Sequence, residues 1–327
     1  MGKPNVYVTR IIPPAGLDLV RAACDAEIWE GELPPSREVL LEKVRGRDGL
    51  LSLLTDTVDA QVMDAAGPQL KVIANYAVGY NNIDVAAATA RGIAVGNTPG
   101  VLTDTTADFA FTLLMSAARR VVEGMDFVRA GRWKTWGPTL LLGRDIHGAT
   151  LGIVGFGRIG RGMAKRASGF DMRVLFHDPF FTDDASVAQT GAQQVDLDTL
   201  YAESDFVSIH VPLTPETRHM INSTALRKMK STAILINTSR GPVVDPVALY
   251  QALANGDIAY AALDVTEPEP IPVDSPLLTL PNCVIVPHIA SASIATRSKM
   301  AEIAANNLIA GVNGKALPAW VNPDVKR

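Results

Sequence analysis

A chain of 327 residues is long for a single core, and 47% hydrophobic with 20% charged residues excludes a disordered polar chain in favour of two globular domains. A formal net charge of −4 argues against a nucleic-acid surface, and the two distant cysteines, Cys24 and Cys283, argue against a disulfide framework or a zinc site. No metal is expected, and a reducing compartment fits. The start Met1-Gly2-Lys3-Pro4-Asn5-Val6 carries neither a signal-peptide nor a myristoylation pattern. The longest apolar stretch, residues 109–118, falls well short of the ~20 residues that cross a bilayer. A cytoplasmic protein without membrane partners is the expectation.

From Asn5 the chain alternates short apolar runs with helical patterns. Val6-Tyr7-Val8-Thr9, Ala26-Glu27-Ile28-Trp29, Gly49-Leu50-Leu51-Ser52-Leu53 and Leu70-Lys71-Val72-Ile73-Ala74 read as strands, followed by a short last unit through Ile93-Ala94-Val95. Helices are expected over 16–23, 37–45 (capped by Ser36), 60–66 (opened by Asp59) and 85–91. Such alternation predicts a parallel sheet covered on both faces, a small flavodoxin-like domain. The polar loop 75–84, with Gly79, follows a strand, where open α/β sheets bind ligands; Gly79 alone could equally be a simple turn. Thr103 or Thr105 can cap a single helix over 106–129, long enough to bridge two domains. The following loop, with Trp133 and Trp136, reads as a contact with a partner subunit.

At Leu151-Gly152-Ile153-Val154-Gly155-Phe156-Gly157-Arg158-Ile159-Gly160 an apolar run breaks into glycines and re-enters a helical pattern expected over 161–168. Gly155 and Gly157 allow a sharp turn and close approach of a pyrophosphate, Gly160 allows helix and strand to pack closely, and the helix N-terminus offers N–H groups to phosphates. A second strand, Met172-Arg173-Val174-Leu175-Phe176-His177, ends at Asp178. An acid there suits the ribose hydroxyls of NAD(H) and repels the 2′-phosphate of NADP(H). NAD(H) is therefore favoured, with NADP(H) possible. Further apolar strands at 206–209, 233–236, 259–263 and 284–286 bring this sheet to six, separated by helices such as 222–228 and 246–254. A terminal helix over 293–310 and the anchor Pro318-Ala319-Trp320-Val321 return the chain, so the first domain is expected to be discontinuous: 1–100 with 291–327, around 101–290.

Three strand ends in the second half carry polar groups that a plain core does not need. Arg240, after Asn237-Thr238-Ser239, can hold a carboxylate through two parallel hydrogen bonds, or serve as a surface salt-bridge partner. Glu269 lies between two prolines in Asp264-Val265-Thr266-Glu267-Pro268-Glu269-Pro270, and His288 follows the last strand in Val286-Pro287-His288-Ile289-Ala290-Ser291. The other histidines, His147, His177, His210 and His219, read as structural or peripheral.

With these segments in view the chain resembles, over essentially its whole length, the D-isomer-specific 2-hydroxyacid dehydrogenases, and most closely their glyoxylate/hydroxypyruvate reductases. The matching segments are 76–84, 97–104, the glycine turn, 236–241, 263–270 and 287–289. The resemblance implies two doubly wound α/β domains with an interdomain cleft, a homodimer, a small 2-oxo or 2-hydroxy acid substrate and a catalytic set of Arg240, Glu269 and His288. It implies substrate binding by the backbone N–H groups of Val78 and Gly79, with Arg240, Leu53 and Ser291 nearby. Cofactor contacts fall at Thr106, Gly155, Gly157, Arg158, Ile159, Gly160, Asp178, Val211, Pro212, Thr238, Ser239, Arg240, Asp264, His288 and Ala290. In the implied reaction hydride reaches the carbonyl carbon while protonated His288 supplies the proton and Glu269 favours the imidazolium.

The chain departs from the family pattern twice: several such reductases look NADP-directed where this chain has Asp178, and Ala290-Ser291-Ala292 replaces the usual Gly-Ser-Ala. Rival readings within the family are D-lactate, 3-phosphoglycerate and phosphite dehydrogenases; Glu269 argues against formate. From another class, the rival is an NADH-sensing corepressor-like binding protein.

Overall fold

The computed structural model describes residues 2–182 and 184–325; the expected domain ends at Met1 and at Lys326-Arg327 lie outside them. The chain divides into two compact units, one holding the residues up to Leu102 and from Ala292 onward, the other Thr103–Ser291.

The first unit begins β1 (Asn5–Val8), α1 (Pro14–Ala23), β2 (Asp25–Ile28), α2 (Arg37–Lys43), β3 (Gly49–Ser52), α3 (Ala60–Ala66), β4 (Val72–Asn75), α4 (Val85–Ala90) and β5 (Ala94–Gly96). All five strands are parallel, in the order β2-β1-β3-β4-β5, which is the flavodoxin-like order. Alternate side chains go to opposite faces. Val6, Val8, Leu51, Val72 and Ala74 enter one core, while Tyr7, Leu50, Ile73 and Val95 enter the other. Because both faces are covered, the strands other than the edge strand β2 read as short apolar runs. The helices start where the sequence offers an oxygen: Ser36, Asp59 and Asp84 each accept a backbone N–H of the first turn.

The second unit holds α5 (Thr103–Ala118), α6 (Val121–Arg129), β6 (Thr150–Val154), α7 (Arg158–Ala167), β7 (Arg173–His177), α8 (Asp184–Thr190), β8 (Gln193–Gln194), α9 (Leu197–Glu203), β9 (Phe206–Ile209), α10 (Ser223–Lys228), β10 (Ile234–Asn237), α11 (Pro246–Asn255), β11 (Tyr260–Leu263) and β12 (Cys283–Ile285). Its parallel sheet runs β12-β11-β10-β9-β6-β7-β8, with the direction of winding reversing between β6 and β9. One face packs on α5 and α7 through Phe111, Leu114, Ile153, Met163 and Phe176; the other is covered through Leu200, Leu226, Leu235 and Leu249. Each large apolar side chain buried in this way contributes roughly 1.5–3 kcal/mol.

Several expectations need correction here. The helix expected over 106–129 is two helices, because Arg120 adopts a left-handed backbone (φ 52°) that breaks the hydrogen-bond ladder between α5 and α6. Thr103 and Thr105 lie inside the first turn of α5 rather than ahead of it. The sheet has seven strands, not six: β8 is a two-residue edge strand of two exposed glutamines, without the apolar run by which strands are recognised. The helix expected over 161–168 starts at Arg158, directly after Gly157.

The last helix, α12 (Ile294–Val312), is capped by Ser293 and belongs to the first unit, where Met300, Ala304 and Leu308 share the core of β1, β3 and β4. Gly311 permits this approach, since a β-carbon there would lie 2.4 Å from Val72 Cβ. Among the described residues no helix is long and apolar enough to cross a membrane.

Candidate active site

A parallel sheet sends every strand's carboxyl end to the same edge, so loops far apart in sequence meet there. In the second unit those loops carry Gly155 and Gly157 (after β6), Asp178 (β7), His210 to Pro212 (β9), Thr238 to Arg240 (β10), Asp264 to Glu269 (β11) and His288 (β12). This gathers most of the expected site residues along one edge.

Gly155 has φ 89°, which L side chains rarely adopt, and a β-carbon at Gly160 would sit 2.2 Å from the Gly155 carbonyl oxygen. Phe156 stacks on Phe176 with ring centroids 3.9 Å apart, and Phe181 meets both rings edge-on. That aromatic cluster ties the turn to β7. Phe156 N–H also donates to Asp178 Oδ2 (2.9 Å), and Phe180 N–H donates to Oδ1 (3.0 Å). The carboxylate is therefore held beside the turn in one orientation.

Three features fit a dinucleotide. Helix α7 starts at Gly157 without a side-chain cap, leaving its first-turn N–H groups, including those of Arg158 and Ile159, to an anion. A β-carbon built on Gly157 would meet nothing within 4 Å. The hydroxyl of Thr238, 7% exposed at the end of β10, has no hydrogen-bond partner among the described residues. Val211 lies against Gly155, Pro212 opens the next loop, and Thr106 is buried in α5.

His288 Nδ1 lies 2.6 Å from Glu269 Oε1. Burial pushes the Glu269 carboxyl up, but the hydrogen bond and charge of His288, the Thr266 N–H and the charge of Arg240 outweigh it and hold the group below its ordinary value. Arg240 belongs to the same neighbourhood: burial lowers its pKa, and the Glu269 charge opposes that shift. Its Nη1 donates to Ser239 O (2.8 Å), and Asn237 braces the turn by donating to Arg240 O (3.0 Å) and accepting from Ser239 N–H (3.0 Å). A β-carbon at Gly241 would fall 1.9 Å from Thr266 O, so only glycine lets the β10 and β11 loops touch.

Asp264, expected at the cofactor, braces the neighbouring loop. Its carboxylate accepts Ile289 N–H (2.6 Å) and Ala290 N–H (2.9 Å), while its carbonyl accepts His288 N–H (2.9 Å). These bonds hold His288 in a left-handed backbone, φ 54°, which a non-glycine residue adopts only under constraint. Ser291 closes the unit at this loop. Val78, Gly79 and Leu53 lie in the first unit, at the carboxyl ends of β4 and β3.

Two polar pairings at this edge involve histidines that the sequence offered only as structural or peripheral. His210 Nε2 pairs with Ser208 Oγ (2.8 Å), and burial pushes its pKa down to about 3, so it stays neutral at physiological pH. His219 and Arg218 both pair with Glu267, at 2.6 and 2.5 Å, anchoring the loop that carries Glu269. Ordinary surface residues give the same sequence signal, so only the fold identifies these.

The sequence model for "D-isomer specific 2-hydroxyacid dehydrogenase, NAD binding domain" matches residues 111–290. A glyoxylate reductase of Korarchaeum cryptofilum is 57% identical over 324 residues, covering 99% of this chain and 97% of its own. Among solved structures, a protein of Thermus thermophilus superposes with TM-score 0.91 at 47% identity, covering 97% of this chain and 99% of its own. An NADPH-dependent glyoxylate/hydroxypyruvate reductase of Sinorhizobium meliloti, in complex with NADP and malonate, does so with TM-score 0.85 at 31% identity, covering 100% and 99%. Strand-end loops built for a nicotinamide dinucleotide, together with these matches over nearly the full length, lead to one conclusion: the chain belongs to the D-isomer specific 2-hydroxyacid dehydrogenases.

Proposed function

We propose that this enzyme is a glyoxylate/hydroxypyruvate reductase that converts these 2-oxo acids to glycolate and D-glycerate, with NADH preferred. The observation that carries the reading is the 2.6 Å contact of His288 Nδ1 with Glu269 Oε1, beside Arg240. With Nδ1 engaged, Nε2 is the ring nitrogen that serves the substrate oxygen. The reduced nicotinamide, when bound, supplies the hydride. His288 gives its proton to the carbonyl oxygen as alkoxide character develops, and the Glu269 carboxylate stabilises the imidazolium until then. Arg240 binds the substrate carboxylate and polarises the carbonyl, an interaction that strengthens toward the transition state. Within the first unit, the backbone N–H groups of Val78 and Gly79 are the donors proposed for a carboxylate. The name of the Korarchaeum relative supports this substrate class.

The preference for NADH rests on Asp178, whose fixed carboxylate suits ribose hydroxyls and opposes a 2′-phosphate. The test is one panel: kcat/KM for glyoxylate, hydroxypyruvate and pyruvate, each with NADH and NADPH. NADH is expected to win by about tenfold or more, the scale of a like-charge penalty. Strong NADPH preference would overturn the reading of Asp178. Tight NADH binding without turnover of any of the three acids would favour an NADH-sensing binding protein instead.

The partner is a second copy of the chain. Helix α6 buries none of its residues, and Val121, Met125 and Val128 are exposed at helical spacing, near Trp133 (59% exposed) and Trp136 (78%) in the following loop. Such a surface supports a homodimer.

A further inference from the structure

The geometry of the loop after β4 points to Asn97 as a positioning residue for the substrate carboxylate, with Asn75 extending the same device to a third N–H group, that of Tyr80. This inference rests on the proposed role of Val78 and Gly79 and says how their N–H groups come to face one way. In a planar trans peptide the C=O and the N–H point in opposite directions, so fixing a carbonyl fixes where the next residue's N–H is aimed. The peptides of this loop are trans. Ala77 O accepts the Thr98 N–H (2.9 Å), and Val78 O accepts the Asn97 side-chain amide Nδ2 (2.8 Å). Both donors come from the segment just after β5.

Along a strand, successive carbonyls point alternately to opposite sides; here two in a row point to the same neighbour. The N–H groups of Val78 and Gly79 must therefore both face away from residues 97–98. Gly79 O is held in turn by Asn75 Nδ2 (2.9 Å), which turns the Tyr80 N–H away from the end of β4. Among the described residues no hydrogen bond reaches the N–H of Val78, Gly79 or Tyr80. Successive N–H groups turned outward from a braced loop form an anion site without a charged side chain.

The braces are themselves held. Asn97 O accepts Asn307 Nδ2 (2.9 Å) from α12, and Asn97 N–H donates to Ala319 O (3.3 Å), whose own N–H donates to Asn307 Oδ1 (3.0 Å). Asn307 is fully buried. Asn75 Oδ1 accepts Ser52 Oγ (3.2 Å), and its Nδ2 also reaches Asn82 Oδ1 (3.2 Å). Asn82 Nδ2 spans to the carbonyls of Leu53 and Asp56, each at 3.0 Å. The Leu53 loop and the 77–80 loop thus share one network of amides.

The test replaces the Asn97 donor with an acceptor of the same shape, Asn97→Asp, with Asn97→Ser as a second variant. KM for glyoxylate and the inhibition constant of oxalate are expected to rise by about tenfold or more, the weight of one oriented hydrogen bond. kcat should fall much less, because a contact made equally to substrate and transition state appears in KM. The dissociation constant for NADH should stay within about twofold, a split that general loosening of the fold would not produce. KM and oxalate inhibition within twofold of the parent in both variants would overturn the inference. An independent measurement uses the unaltered protein: in ¹⁵N-labelled enzyme, saturating oxalate should shift the amide protons of Val78, Gly79 and Tyr80 together. Absence of those shifts overturns the inference even if neither variant folds. Failure of the parent enzyme to reduce any 2-oxo acid would instead sink the proposed function, while the oxalate titration still judges the anion site.

Discussion

His288 combines a left-handed backbone, a 2.6 Å contact with a carboxylate and a place at the end of the sheet's edge strand. Asp264 carries the cost of that conformation through three hydrogen bonds to the main chain of 288–290. Replacing His288 by Asn should lower kcat/KM for glyoxylate reduction by about 10²–10⁴, the usual weight of a general acid, with little change in NADH binding. Glu269→Gln keeps a hydrogen bond to His288 but removes the charge, and should lower kcat for reduction with little change in NADH binding. An unchanged kcat, with chemistry rate-limiting, would show that the carboxylate does not support the proton transfer. The Glu269 pKa is depressed in the folded protein, so its stabilising contribution is present above the ordinary carboxylate value of 4.5 and lost only as pH falls through the lower, folded value.

At the scale of elements, the site depends on loops that touch because small side chains let them. Gly241→Ala would set a β-carbon 1.9 Å from Thr266 O, forcing the Arg240 and Glu269 loops apart. Activity should drop more than stability, seen as a loss in kcat with a modest change in Tm. Phe156 is the opposite case: a large side chain that seats the glycine turn on Phe176. Phe156→Ala should cost about 3–5 kcal/mol of stability in chemical denaturation and weaken NADH binding as the turn loosens. Retained NADH affinity would show that the turn holds its shape without the ring. The break at Arg120 has its own consequence, since it ends α5 and sets off α6 as a separate helix with an exposed apolar face.

At the scale of the whole molecule, the exposed apolar side chains of α6 and its tryptophan loop predict self-association. Sedimentation should give a dimer, and the pair Val128→Ser with Trp136→Ser should shift it toward monomer, with each unit retaining its secondary structure by circular dichroism. A parent protein that sediments as a monomer would remove the assignment. The two sheets need no such partner: each buries both faces within its own unit, through cores that sort alternate strand residues to opposite sides.

Local pattern was enough to read the parallel α/β architecture, the caps at Ser36 and Asp59, the glycine turn and the candidate set Arg240, Glu269 and His288, because each is written in contiguous residues: a short apolar run, a cap ahead of a helix, a polar group after such a run. The edge strand β8, the division of the expected 106–129 helix, the clamp on Glu267 and the amide network around Asn75, Asn97 and Asn307 were decided only in three dimensions. These depend on hydrogen bonds between residues far apart along the chain, or on a backbone angle at one ordinary arginine. Nothing in a run of neighbouring side chains encodes which carbonyl a distant amide will meet; the closing of the sheet does.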